Sequence, residues 1–250
     1  MILKRKIYKK LLEWKKECQG KKALLIEGAR RIGKSTICEE FGKSEYKSFL
    51  LIDFAKKDKE VEGYFEKYLN DLDTFFMLLQ THFGTKLTER NSLIIFDEVQ
   101  MFPQARAAIK YLVADGRYDY IETGSLISIR ENVKNIVIPS EERHINMYPL
   151  DFEEFAIALE EDLLVEYIKK CFEKREPLER SMHNQAMLLF HQYMLVGGMP
   201  MPVVTFIESK KDFTEADREK RDILKLYRED IMKIDAKYRS KVLAIYDQIP

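Results

Sequence analysis

The sequence predicts an α/β fold, a parallel β-sheet with helices on both faces, followed by an all-helical segment. Three observations carry this expectation. Short apolar runs alternate with helical stretches over about the first 150 residues. Three of the runs have nearly continuous apolar centres, as strands buried on both faces do. After "YPLDFEEF" (148–155) the apolar spacing becomes that of helices alone.

The elements follow in order. Leu3, Ile7, Leu11 and Trp14 share one helical face, and residues 1–22 carry nine Lys/Arg against two Glu. An amphipathic helix packed on the domain with a solvated basic face accounts for this; such helices also meet nucleic acid or membranes. "KALLIE" (22–27), "SFLLIDF" (48–54), "SLIIFDE" (92–98), "YDYIETG" (118–124) and "RHINMY" (143–148) read as strands. Lys34–Phe41, Glu60–Phe83 and Gln104–Ala114 read as helices or helix pairs between them. Residues 151–195 read as helical, broken at Glu176-Pro177, and "GGMPMP" (197–202) is a sharp break before a charged helical remainder. No repeat or low-complexity linker interrupts the chain. A boundary near 150 therefore separates an α/β part, 1–150, from a helical part, 151–250.

Composition bounds the partners. The chain is 46% hydrophobic and 34% charged with a formal net charge of zero, so it has no overall attraction to nucleic acid or membrane. Any such partner would use a local patch. Cys18, Cys38 and Cys171 are scattered and odd in number, which gives no zinc spacing or disulfide framework and favours a reducing cytoplasm. No uninterrupted apolar segment is long enough for a membrane span, and the basic N-terminus lacks the apolar stretch of a signal peptide.

Gly28-Ala29-Arg30-Arg31-Ile32-Gly33-Lys34-Ser35 satisfies G-x-x-x-x-G-K-[ST] between an apolar strand and a helix, the setting that pattern requires. Three cations, Arg30, Arg31 and Lys34, crowd a tight turn, which makes sense around a polyphosphate. Gly28 and Gly33 are expected at positive φ, turning backbone N–H groups inward beside a helix N-terminus. Lys34 is expected on the β- and γ-phosphates and Ser35 on Mg²⁺. The loop through Thr36 is expected to line the nucleotide. Arg31 either serves the phosphates or pairs with an acid such as Glu27.

In "LIIFDEVQ", Asp97 and Glu98 follow a buried strand directly and so face the ligand crevice. Asp97 suits Mg²⁺ and Glu98 suits a general base for an attacking water. A solvated acid pair at a strand end is the bland alternative, and the phosphate loop upstream argues against it. At the next strand end, "IETGSLISI", Thr123 and Ser125 both occupy the crevice side. Additional-strand P-loop ATPases sense the γ-phosphate with a polar residue here, and Ser125 is preferred over Thr123.

"GARRIGKST", "IIFDEVQ", "TGS", "YPLDFEEF" and "YMLVGGMP", in that order, resemble a prokaryotic group of AAA-like, STAND-related ATPases. The likeness runs from about residue 5 to the end. It implies a five-stranded P-loop sheet of the additional-strand type, a helical lid, and hydrolysis of ATP with Mg²⁺. Lys34, Glu98 and Ser125 become the catalytic residues. The Gly-x-Pro turn of such lids corresponds to Gly198-Met199-Pro200, with Pro200 packed on the base. Local physics alone reads that stretch as a helix end followed by a rigid turn. Such proteins usually continue into a longer C-terminal domain, so "IYDQIP" would fall early in that part, as in a fragment or a short variant. The Gly-Arg pair frequent before the fifth strand is Glu142-Arg143 here.

Other nucleotide chemistries fit less well. A GTPase would need an N-K-x-D base-recognition motif after a strand, which "ENVKNIV" does not supply. A small-molecule kinase would not need Glu98 beside Asp97. A nucleotide-dependent switch with little turnover remains the main alternative. His82, His144, His183 and His191 lack ligand spacing, and the last two read as helix-surface or packing residues. The sequence leaves a protein partner, nucleic acid and self-association all open.

Overall fold

The structure, a computed structural model, describes residues 1–125, 140–232 and 234–248. "ENVKNIV" (131–137) and all of "LISI" (126–129) lie outside the described residues, as does the C-terminal Ile249-Pro250. The chain forms two compact units, Arg5–Tyr148 and a second made of Met1–Lys4 with Pro149 onward.

In the first unit, β1 (Ala23–Glu27), β2 (Ser48–Asp53), β3 (Ser92–Asp97), β4 (Asp119–Gly124) and β5 (Glu142–Asn146) form one sheet in the order β2-β3-β4-β1-β5. Every pairing is parallel. β4 is therefore inserted between β1 and β3, the additional strand of the expected fold. The apolar runs are buried on both faces, as parallel strands must be. Ala23, Leu25, Leu50, Ile52, Ile94, Phe96 and Tyr120 join the core under α3 (Lys59–Lys67), α4 (Leu72–Phe83) and α5 (Pro103–Asp115). The alternate residues Leu24, Ile26, Leu93, Ile95 and Ile121 are buried as well. α2 (Lys34–Glu45) packs on β2 and β3, and α1 (Ile7–Cys18) packs on α2 through Tyr8–Phe41 and Trp14–Phe41 ring contacts. Burying an aromatic ring such as Phe41 fully is worth about 1.5–3 kcal/mol.

One local expectation changes. The basic N-terminal segment is a packed helix with Ile7, Leu11 and Trp14 inward, but it starts at Ile7. Leu3 lies outside it and belongs to the core of the second unit. The stretch 60–83 is a helix pair, one of the forms expected, and Asp71 starts its second helix, accepting from Thr74 N at 3.2 Å.

The second unit holds α6 (Phe152–Ala158), α7 (Asp162–Lys174), α8 (Arg180–Val196), α9 (Pro200–Glu208), α10 (Phe213–Met232) and α11 (Ala236–Tyr246). Its core gathers Leu3, Leu150, Phe155, Leu189, Val196, Val203 and Phe206. Asp151 and Glu154 form a reciprocal capping box that starts α6. The run 151–195 breaks twice, once around Glu176-Pro177 as expected and once after α6, where Glu160 takes φ 64°.

"YPLDFEEF" and "YMLVGGMP" prove to be two halves of one joint. Leu150 N donates to Gly198 O at 2.7 Å, and the Tyr193 hydroxyl donates to Leu150 O at 2.8 Å. A Cβ on Gly198 would lie 2.1 Å from Leu150 O, so only glycine fits. Gly197, at φ 79°, ends α8. Pro200 is not in a turn; it is the first residue of α9, where the missing N–H costs nothing. Among the described residues no single helix is long and apolar enough to cross a membrane. α8 and α9 together meet length and composition but bend by 120° at this joint. Cys18, Cys38 and Cys171 are free and buried.

Candidate nucleotide-binding site

The candidate site is built at the C-terminal ends of β1, β3 and β4, all within the first unit. β1 ends at Glu27 and the glycine loop leads directly into α2. Gly33 is the N-cap of α2 at φ 89°, as expected of a loop glycine. Gly28 is not at positive φ; that position is taken by Arg31, at φ 66°. Glycine is needed at 28 for another reason. A Cβ there would lie 2.4 Å from Met147 O and 2.6 Å from Ile32 Cδ1, because the chain leaving β5 runs against the loop. Met147 N donates to Glu27 O at 2.8 Å and fixes that approach.

Of the crowded cations, only Lys34 turns inward. It is 5% exposed, and its Nζ donates to Gly28 O at 3.1 Å and Ala29 O at 2.9 Å. Burial lowers the Lys34 pKa, and the Glu98 and Asp97 carboxylates oppose that shift. Ala29, Arg30, Arg31 and Thr36 are exposed, whereas Ile32 is buried. Arg31 does not pair with Glu27, whose ionic neighbour is His144 with Nδ1 at 3.5 Å.

One carboxylate oxygen organises the other half. Ser35 Oγ donates to Asp97 Oδ1 at 2.8 Å, and the Thr123 hydroxyl donates to the same oxygen. Thr123 Oγ1 in turn accepts the Glu98 N–H at 3.2 Å. Glu98 is left-handed, φ 52° and ψ 46°, an uncommon state for a residue with a side chain. The Gln100 amide donates to Glu98 Oε2. Ser35 and Asp97 thus offer adjacent hard oxygen donors, which fits Mg²⁺. Ser125 follows the last residue of β4 and is half-buried. Pro200 belongs to the helical unit and is placed there at the head of α9.

Thr123 and Gln100 are the neighbours the sequence reading undervalued. Thr123 is more than a candidate sensor: it is fully buried and bonds the Asp97 carboxylate and the Glu98 N–H. A hydroxyl residue one position before the end of a buried strand was the available signal. A second cluster was missed altogether. Arg106 on α5 meets Glu142 through Nε at 3.2 Å and Nη2 at 2.9 Å, with Glu122 fully buried beside them. Burial pushes the Glu122 carboxyl well up, the Glu142 charge adds to this, and Arg106 opposes it. His144 Nε2 lies 3.2 Å from Glu142 and its Nδ1 faces Glu27, so the cluster reaches the residue before the loop. Arg143 instead pairs with Glu17 of α1 at 2.6 Å.

An inserted-strand parallel sheet, a phosphate loop after β1 and an acid pair after β3 define a P-loop nucleoside triphosphatase fold. Residues 20–156, more than half of the chain, match the AAA domain family, and the chain belongs to that family of P-loop ATPases. No curated protein matches. Two solved structures are similar at low identity. C. elegans PCH-2 is 12% identical with a TM-score of 0.42, over 86% of this chain and 65% of that chain. The Aeropyrum pernix Orc1 protein, in a complex with DNA, is 9% identical with a TM-score of 0.38, over 78% and 68%. The chain therefore spans less than two thirds of the PCH-2 chain.

Proposed function

We propose that this protein binds ATP with Mg²⁺, hydrolyses it to ADP and phosphate, and uses nucleotide state to move its helical segment as a lid. The observation that carries the reading is the shared Asp97 oxygen, which ties Ser35 of the loop to Thr123 and, through Thr123, to Glu98. Loop N–H groups from Gly28 to Thr36 and the N-terminus of α2 receive the phosphates. Lys34 exchanges its loop carbonyls for β- and γ-phosphate oxygens. Ser35 and Asp97 hold Mg²⁺, which when bound neutralises charge developing on the phosphates. Glu98 takes the proton of the attacking water. Ser125 senses the γ-phosphate, and Pro200 meets the base.

A specific observation favours a second reading. The Glu98 carboxylate is bonded by Gln100, and a general base so engaged is slow to accept a proton. A nucleotide-dependent switch with little turnover has that property. Single-turnover hydrolysis decides between them. Under the ATPase reading, Glu98→Gln retains ATP and loses about 10²–10⁴-fold in rate, the usual worth of a positioned base. Equal rates for wild type and Glu98→Gln remove the catalytic role. Lys34→Ala tests the site itself: saturating MgATP stabilises wild type by about 2.7 kcal/mol at 100 times Kd, and the variant loses that gain. The reading also places the protein in the cytoplasm. Its partner, whether protein, nucleic acid or a further copy, is sought by capture on the ATP-loaded Glu98→Gln form.

A further inference from the structure

The chain passes between its two units twice, at Lys4–Arg5 and at Tyr148–Pro149. A single guanidinium stands at both passages. Arg5 is the first residue of the α/β unit, and its Nη2 donates to Tyr148 O, the last residue of that unit, at 2.6 Å. Its Nη1 donates at 2.9 Å to Ile32 O, inside the glycine loop. These bonds link residues 27 and 143 positions apart.

The bond to Ile32 has a directional consequence. A trans peptide is planar, with its C=O and N–H antiparallel. There are no cis peptides among the described residues, so an Ile32 carbonyl held toward Arg5 turns the Gly33 N–H away from it. That N–H has no acceptor within the described protein, and it belongs to the N-cap of α2, where anions bind. The Arg5 fork therefore sets which way the Ile32–Gly33 peptide faces. Ile32 is buried, so the loop cannot trade this restraint for water contacts at no cost.

We propose that Arg5 is a positioning residue: it presents the Gly33 N–H to the nucleotide phosphates and ties the phosphate loop to both chain passages into the helical unit. A phosphate that draws the loop inward then pulls on the residues either side of Pro149 and Lys4 at once. Arginine suits this role because its rigid fork donates to two carbonyls in fixed directions, which the single ammonium of lysine does not do. The proposal rests on the phosphate-site reading above.

The test compares full-length wild type, Arg5→Ala and Arg5→Lys. Calorimetry with MgATP and with inorganic triphosphate reads the loop. Hydrogen exchange of residues 149–160, with and without saturating MgATP, reads the passage. Arg5→Ala is expected to bind both ligands about tenfold more weakly, equivalent to about 1.4 kcal/mol. It is also expected to lose the ATP-dependent exchange change at saturation. Arg5→Lys is expected to fall between the two, and it serves alone if Arg5→Ala does not fold. Wild-type affinity in the variants, or an undiminished exchange response, overturns the proposal. Wild type that binds neither ligand overturns the phosphate-site reading instead.

Discussion

Replacing Thr123 by valine removes one hydroxyl and keeps the shape. The structure sets its cost. Thr123 is fully buried, so no water replaces the lost oxygen. The Glu98 N–H loses its acceptor, and an orphaned donor costs about 1–3 kcal/mol. Asp97 loses a donor but retains Ser35, so the second loss falls at the low end of the about 1.5–3 kcal/mol typical of bonds to charged groups. Thr123→Val is therefore expected to destabilise by about 2.5–4.5 kcal/mol, roughly 5–18 °C in Tm for a chain of this length. A functional loss should accompany it. Glu98 is held in a left-handed conformation that costs about 1–2 kcal/mol for a residue with a Cβ. Without the Thr123 bond that residue relaxes and its carboxylate moves, and a displacement of about 1 Å costs about 10²-fold in rate. Thr123→Ser keeps the hydroxyl and loses only a methyl, about 1 kcal/mol. Urea denaturation and single-turnover hydrolysis of both variants check the reasoning. If valine behaves as serine does in both assays, the hydroxyl does not hold the acid pair and the account of the site is wrong.

Three further outcomes follow from the same geometry. Gly28→Ala places a Cβ 2.4 Å from the Met147 carbonyl, so loop and β5 must part by about 1 Å; about 1–3 kcal/mol of stability and most triphosphate binding are expected to go, by melting and calorimetry. Glu122 is protonated in the fold beyond the usual carboxylate range, so the native state binds a proton that the unfolded chain has released. Stability then falls as pH rises above that usual range, and Glu122→Gln should gain on wild type by up to about 1.4 kcal/mol per pH unit; parallel melting curves between pH 5 and 8 would show an ionised Glu122. Pro200→Ala is expected to weaken ATP and ADP by a similar factor and leave inorganic triphosphate binding unchanged, by calorimetric titration; a loss confined to ATP, or one shared by triphosphate, leaves the proline as a helix start only.

The sheet was legible because burial on both faces leaves a plain mark. "ALLI" and "LIIF" have no polar side to confuse the period, and each leads directly into the candidate site. Lys34, Ser35, Asp97 and Glu98 were likewise legible, since each lies at a strand end or loop whose spacing fixes its direction. Thr123 was harder. Its importance depends on β4 lying between β1 and β3, which puts its hydroxyl on Asp97 26 positions earlier in the chain. Strand order is a non-local fact, and local periodicity does not contain it. The Arg106–Glu142–Glu122 cluster has the same origin, because three unremarkable charged residues meet only after β4, β1 and β5 have aligned.

The glycines show how a correct residue can carry an incorrect reason. Gly28 and Gly33 both satisfied the loop pattern, and both were expected to supply positive φ. Only Gly33 does so. Gly28 is demanded by a carbonyl 119 positions later, and Gly198 by one 48 positions earlier. In each case the steric partner is main chain, which cannot be trimmed by mutation and so leaves glycine as the only solution. The partner residues themselves, Met147 and Leu150, lie just either side of the passage between the units. Met147 restrains the phosphate loop and Leu150 restrains the α8–α9 joint, with Tyr148, held by Arg5, between them. Three of the four residues 147–150 are thus restrained through main-chain atoms by partners distant in sequence, so local pattern could not have marked them.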